Sequence, residues 1–128
     1  MPLVRIAIMK GKNTGFGARA GDVVHRAMVA TMKVPADDRF QVITEHAKDE
    51  LPYDPAYLGV ARTDGLVVIQ VTLNEGRTVE VKQAFYAAVA EGLHTELGVR
   101  KEDVLINLVE VKKENWSFGN GIAQYAGR

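Results

Sequence analysis

The chain has 128 residues, 47% of them hydrophobic and 25% charged, a balance that supports one packed core and argues against disorder. Sixteen basic and 16 acidic residues cancel, so no global charge draws the molecule to nucleic acid or to an anionic membrane. Cysteine is absent, which excludes disulfides, thiolate-held iron–sulfur clusters and thiol catalysis.

The opening Met-Pro-Leu-Val-Arg-Ile-Ala-Ile-Met predicts a first strand over Leu3–Met9, rich in Val and Ile and short enough to be buried. Arg5 interrupts its apolar run, so neither a secretory signal nor a membrane span is expected, and a cytoplasmic location is. Proline is tolerated as the residue that opens a strand, because its missing N–H need not enter the ladder. It is also small enough at the second position for the initiator methionine to be removed. Pro2 would then be a chain-terminal secondary amine, able to act as a base, an acid or a nucleophile.

Gly11, Asn13, Thr14, Gly15 and Gly17 break the strand pattern. Phe16, Ala20, Val23, Ala27, Ala30 and Thr31 then recur at helical spacing, and the helix should end near Lys33, ahead of Pro35. "GKNTGFG" fits neither of the glycine-rich phosphate-binding patterns, so nucleotide binding is not expected, and Lys10, Lys12 and Arg19 read as solvated. Phe40–Glu45 is predicted as a second strand. Just before it lie Asp37 and Asp38, each placed either to make a turn or to hold a proton, a water or the amine of Pro2. Residues 46–65 are the least regular part.

Leu66–Leu73 is the most strand-like stretch. Arg77 follows "LNEG" and could present parallel donors to a carboxylate or lie solvated in its loop. Thr78 is placed to cap a second helix, with Glu80 in its first turn. Its apolar face is predicted to run Val81, Phe85, Ala88 or Val89, Gly92 and Leu97. Asp103–Val109 is the fourth strand. The tail "NWSFGNGIAQYAG" sets Trp116, Phe118 and Tyr125 among Gly119, Gly121 and Gly127, a pattern that suits the wall of a small pocket or a subunit-packing tail. His25, His46 and His94 show no close metal-ligand spacing, and no metal is expected.

The two halves echo each other. "MKVPADDRFQVITEH" after the first helix resembles "LGVRKEDVLINLVEV" after the second, which reads as a β-α-β duplication over about 2–45 and 66–109 with a tail over 110–128. Two right-handed units of this kind form an α+β fold: one four-stranded mixed sheet with both helices on one face. The uncovered face calls for association with copies of the same chain.

Taken together, "MPL", "VPADDRFQVITEH", "RTDGLVVIQVT", "GRTVEVKQAFY" and "NWSFGNGIAQY" resemble the tautomerase superfamily over essentially the whole chain. Within it the likeness is to the malonate semialdehyde decarboxylase-like branch, on the fold of macrophage migration inhibitory factor and 4-oxalocrotonate tautomerase. The resemblance implies a single tautomerase-like domain over 1–128, a homotrimer, a small oxo-acid substrate and no cofactor. It implies Pro2 as the catalytic proline, Asp38 as the carboxylate near it, Arg77 as a binder of the substrate carboxylate, and Trp116 and Phe118 as an aromatic wall. One departure stands out. The decarboxylase pattern resembles arginine–proline–arginine before the second helix, whereas this chain has Glu75-Gly76-Arg77. Tautomerisation and decarboxylation of a 2-oxo or 3-oxo acid, or its enol, are both compatible with these residues. A non-catalytic trimeric module with Pro2 inert is the remaining alternative.

Overall fold

The first strand, β1 (Leu3–Met9), is the hub of the sheet, and a computed structural model describes residues 2–126 around it. After it come α1 (Phe16–Met32), β2 (Gln41–His46), β3 (Val67–Asn74), α2 (Val79–Leu97) and β4 (Val104–Val111). The sheet order is β2-β1-β3-β4, parallel within each half and antiparallel where β1 meets β3. Each half is thus a strand, a crossover helix and a parallel strand, as the duplicated pattern predicts.

The register aligns one isoleucine from each strand, Ile43–Ile6–Ile69–Ile106, in a row across the sheet. Ile6 and Ile69 are fully buried at its centre, while Ile43 on the edge strand remains 38% exposed. Phe16, Ala20, Val23, Val24, Ala27 and Met28 from α1, with Phe85, Val89 and Leu93 from α2, complete the core. The helices approach closely at Gly92, where a Cβ would lie 2.7 Å from Val23 Cγ1, so glycine is required there by contact.

Several boundaries differ from the sequence expectation. Strands β2, β3 and β4 each begin one residue later than predicted and end one or two later, because pairing with the neighbouring strand rather than residue type fixes strand ends. On α1, Ala30 is exposed whereas Val24, Met28 and Met32 are buried. On α2, Leu93 is buried and was not anticipated. The Thr78 cap is present as expected: its side chain accepts the Val81 N–H at 3.2 Å, and Glu80 occupies the first turn. That bond satisfies one of the donors every helix start leaves open.

On the face opposite the helices, Arg5, Ala7, Val42, Thr44, Val68 and Gln70 line a shallow groove. No described helix is long and apolar enough to cross a membrane. Between β2 and β3 the chain forms two short 3-10 turns, Lys48–Glu50 and Tyr57–Gly59. Buried Asp103 ties this segment to the second half, accepting from Thr63 N at 2.7 Å and Thr63 Oγ1 at 2.6 Å. A second latch is Asp64, which accepts from the Tyr53 hydroxyl at 2.7 Å and pairs with Lys48 at 3.2 Å.

The hydrogen bond from Tyr53, then Lys48, holds the Asp64 carboxyl below its ordinary range, and the bond to Asp64 pushes the Tyr53 hydroxyl up. A depressed carboxylate stabilises the fold above its ordinary value and loses that contribution as pH falls through the folded value. A raised tyrosine contributes below its ordinary value and loses this as pH rises through the folded one. Residues 46–65 are therefore expected to be best protected from hydrogen exchange between those two ranges. Acid below the depressed range of Asp64 should loosen them before β1 or β3, and Tyr53→Phe should flatten that response. Equal protection at acid and neutral pH, after correction for intrinsic rates, would refute the latch.

Candidate active site

Three segments meet where β1 begins. Val4 pairs with Gln41, and Val4 N donates to the Phe40 carbonyl at 3.0 Å. The segment just before β2 thus runs alongside the start of β1, and its Phe40 lines the same hollow as Pro2. On the other side Leu3 pairs with Thr72, which sets Pro2 level with Leu73 and beside Asn74. The tail after β4 closes the third side.

The result is a hollow of ≈ 210 Å³ lined by Pro2, Leu3, Phe40, Trp116, Ser117 and Phe118. Pro2 itself is buried. Trp116 stacks on Phe118 with ring centroids 5.6 Å apart, and Phe118 meets Tyr125 edge-on at 4.8 Å. The tail has no strand to hold these rings, so specific bonds do it. Trp116 Nε1 donates to Asn74 Oδ1 at 2.7 Å, and Phe118 N donates to Gln124 Oε1 at 2.9 Å. The Gln124 amide in turn donates to the Gly119 carbonyl at 3.0 Å. Gly127, predicted as part of this tail, and the fate of Met1 lie outside the described residues.

Asp38 and Asp37, equivalent in the sequence, are separated by burial: Asp37 is exposed and Asp38 half-buried. The turn that places them is closed by Asp38 N donating to the Pro35 carbonyl at 3.0 Å. Arg39, adjacent, is engaged elsewhere, pairing with Asp22 at 2.7 Å and Gln41 at 3.1 Å.

Arg77 is half-buried and does not line the hollow around Pro2. Its guanidinium donates from Nη1 to the Asn74 carbonyl at 3.2 Å and from Nη2 to the Met32 carbonyl at 3.4 Å. It thus straddles the end of β3 and the electronegative end of α1, a favourable place for a cation. Glu75 is exposed and lines a different hollow with Val111, Lys112–Glu114 and Tyr125. Pro2, Trp116 and Phe118 are therefore brought together directly, Asp38 lies two residues before Phe40 of the same lining, and Arg77 connects through Asn74.

Phe40 and Asn74 were not among the expected site residues. Phe40 carried a signal as a large apolar residue opening an edge strand, where it remains 53% exposed. Asn74 carried none.

A more voluminous hollow, ≈ 350 Å³, lies at the far end of β1 among Met9, Lys10, Lys12, His46, Lys48 and Asp64. At the rise of a β-strand, that end is about 23 Å from Pro2 of the same chain, so His46 does not reach that hollow within one chain. His46 Nε2 lies 2.8 Å from Thr44 Oγ1, His25 bonds the Ala36 carbonyl and His94 the Val99 carbonyl. Among the described residues no cluster of His, Asp and Glu is arranged to hold a metal ion.

Comparison with known proteins bears on the family and the fold. The model of a family described as tautomerase enzymes matches residues 38–119. The probable tautomerase YusQ of Bacillus subtilis (strain 168) is 47% identical over 97% of this chain and 98% of its own length. A second from the same organism, the probable tautomerase YrdN, is 37% identical over 98% and 96%. Among solved structures, FG41 malonate semialdehyde decarboxylase inhibited by 3-bromopropiolate is 38% identical, with a TM-score of 0.89 over 96% of this chain and 93% of that one. Another malonate semialdehyde decarboxylase, with decarboxylase and hydratase activities, is 31% identical at the same TM-score over 96% and 95%. A fused 4-OT, a symmetric trimer, is 26% identical with a TM-score of 0.78 over 98% and 99%. The duplicated β-α-β sheet, the family model and relatives alike over almost their whole length lead to one conclusion: the chain belongs to the tautomerase superfamily, on its malonate semialdehyde decarboxylase-like branch, and is an enzyme of the tautomerase or decarboxylase type.

Proposed function

We propose that the chain is a cofactor-independent enzyme that uses the amine of Pro2, freed by removal of Met1, on a small 2-oxo or 3-oxo carboxylic acid or its enol. The observation that carries this reading is that buried Pro2 lines a small hollow together with Phe40, Trp116 and Phe118. The volume is below the roughly 300–1,000 Å³ of pockets that take drug-sized ligands, which suits an acid of a few carbons. Each chain is one tautomerase-like domain, and three associate through the sheet face the helices leave open.

As a tautomerase, neutral Pro2 removes a proton from carbon or oxygen of the enol system and returns it at the other position. The apolar walls favour that neutral amine, since low polarity disfavours the charged form. As a decarboxylase, protonated Pro2 donates to the carbonyl oxygen of a 3-oxo acid. The electron pair of the breaking C–C bond moves toward that carbonyl, carbon dioxide leaves, and the enol is ketonised. A carboxylate near the amine, the role proposed for Asp38, favours this charged form. In both cases the substrate carboxylate extends beyond the lining of the hollow to Arg77, which Asn74 joins to Trp116. A guanidinium has more N–H donors than its bonds to Asn74 and Met32 use, and those bonds fix its plane.

Similarity to two malonate semialdehyde decarboxylases favours the second chemistry, while Glu75 in place of an arginine favours the first. The test follows phenylenolpyruvate ketonisation and malonate semialdehyde loss side by side across pH, on protein whose mass proves that Met1 is gone. Ketonisation that fades as Pro2 gains its proton identifies a tautomerase. Carbon dioxide release that persists while Pro2 is protonated identifies a decarboxylase. Absence of both would remove the proposal.

A further inference from the structure

Asn74 closes β3, and it is engaged through both its side chain and its main chain. Oδ1 accepts the Trp116 indole N–H at 2.7 Å, and the main-chain carbonyl accepts from Arg77 Nη1 at 3.2 Å. The two groups so held are the aromatic wall over Pro2 and the cation assigned to the substrate carboxylate. Trp116 needs such a hold. It follows the short turn Lys113–Asn115, and its ring rests on Phe118 with an interplanar angle of 18°. Stacked rings slide past each other at little cost, whereas a hydrogen bond is directional. An indole N–H is a donor only, so a partly buried tryptophan requires an acceptor in one place, and Asn74 supplies it.

We propose that Asn74 is a positioning residue for the reaction at Pro2. Its side chain sets the plane of Trp116 over the hollow while its main chain seats Arg77, so one residue fixes the spacing between the wall and the carboxylate-binding cation. This rests on the reading of the Pro2 hollow as the reacting site. The carbonyl that holds Arg77 survives any substitution of the side chain, so a side-chain variant acts through Trp116.

Trp116 is the only tryptophan in the chain, and its fluorescence therefore reports this ring alone. Asn74→Leu removes the acceptor at similar size, and Asn74→Asp keeps an acceptor oxygen in the same place. The leucine variant is expected to shift the emission and open the ring to acrylamide quenching. It should also lower kcat/KM about tenfold, mainly through kcat, as the loss of one such bond would. The aspartate variant should restore the wild-type emission. In a Trp116→Phe background, Asn74→Leu should cost no more than about twofold, because the two residues act as a unit. Unchanged emission and quenching in Asn74→Leu would overturn the proposal, as would full additivity with Trp116→Phe. An inactive wild-type chain would overturn the reading of the site and with it the catalytic purpose of Asn74. An emission shift in that same chain would still support the hold on Trp116.

Discussion

Replacing Pro2 by leucine is expected to abolish most turnover, because a bulky second residue leaves Met1 in place and converts the reacting amine into a peptide nitrogen. Positioned general acid–base groups contribute about 10²–10⁴-fold, and a loss in that range is the expected result for whichever oxo acid the wild type turns over. The fold should survive. The strand begins only at Leu3, and its buried residues Val4, Ile6 and Ile8 are untouched. Intact mass must show the retained methionine, and the emission of Trp116 should show the aromatic wall still formed. Pro2→Ala is the informative control. It keeps a terminal amine, now primary and without the ring that packs in the hollow, and should retain intermediate activity. If the leucine chain with verified Met1 keeps more than about a tenth of wild-type kcat/KM, Pro2 is not the reacting group.

The second large effect is expected at Arg77. Arg77→Leu should lower kcat/KM about a hundredfold, mostly as a raised KM, since truncating one partner of a desolvated charge pair typically costs about 2–5 kcal/mol. Arg77→Lys should recover only part of this, because a point charge cannot bond both the Asn74 and Met32 carbonyls and still present a planar fork. A purely structural arginine, tying the end of α1 to the end of β3, would give a different result. Its loss would lower thermal stability and reduce activity equally on acid and on uncharged amide substrates. The comparison is therefore kcat/KM for an oxo acid against its amide. Wild type should prefer the acid, and Arg77→Leu should lose that preference. A preserved preference would release Arg77 from the assigned role and return attention to the exposed lysines near the tail.

Glu75 bears on the same question. It replaces an arginine of the decarboxylase pattern, yet it lines the hollow beside Tyr125 rather than the one around Pro2. Gly76, which follows it, has a φ of 120°, in the region glycine adopts freely. Arg39 does not replace the missing cation either, since Asp22 and Gln41 engage it.

Much of this molecule was written in local patterns. β1 runs over Leu3–Met9 as its short run rich in Val and Ile predicts, and Thr78 caps α2 as its position before Glu80 predicts. These signals act within a few residues, through side-chain periodicity and a single bond from a cap, so the sequence alone carries them. The repeat of strand, helix and strand was legible for the same reason, and with it the four-stranded sheet with both helices on one face. Strand ends were not, because a strand stops where its partner does: Val111 pairs with Asn74 and extends β4 beyond Val109.

The site shows the division most clearly. Pro2, Asp38, Trp116 and Phe118 could be named from the sequence through their family likeness, but nothing local ranks Asp38 above Asp37. The turn to Pro35 half-buries one and exposes the other. Asn74 is an unremarked polar residue at the end of a strand until β3 is laid beside β1 and the tail returns over both. The sheet order β2-β1-β3-β4 brings the start of one strand, the turn before a second, the end of a third and the tail after a fourth to one point. Sequence determined the elements and the chemistry each could bring, because those depend on neighbours along the chain. Only tertiary structure decided which of those groups meet, because that depends on pairing between segments far apart in it.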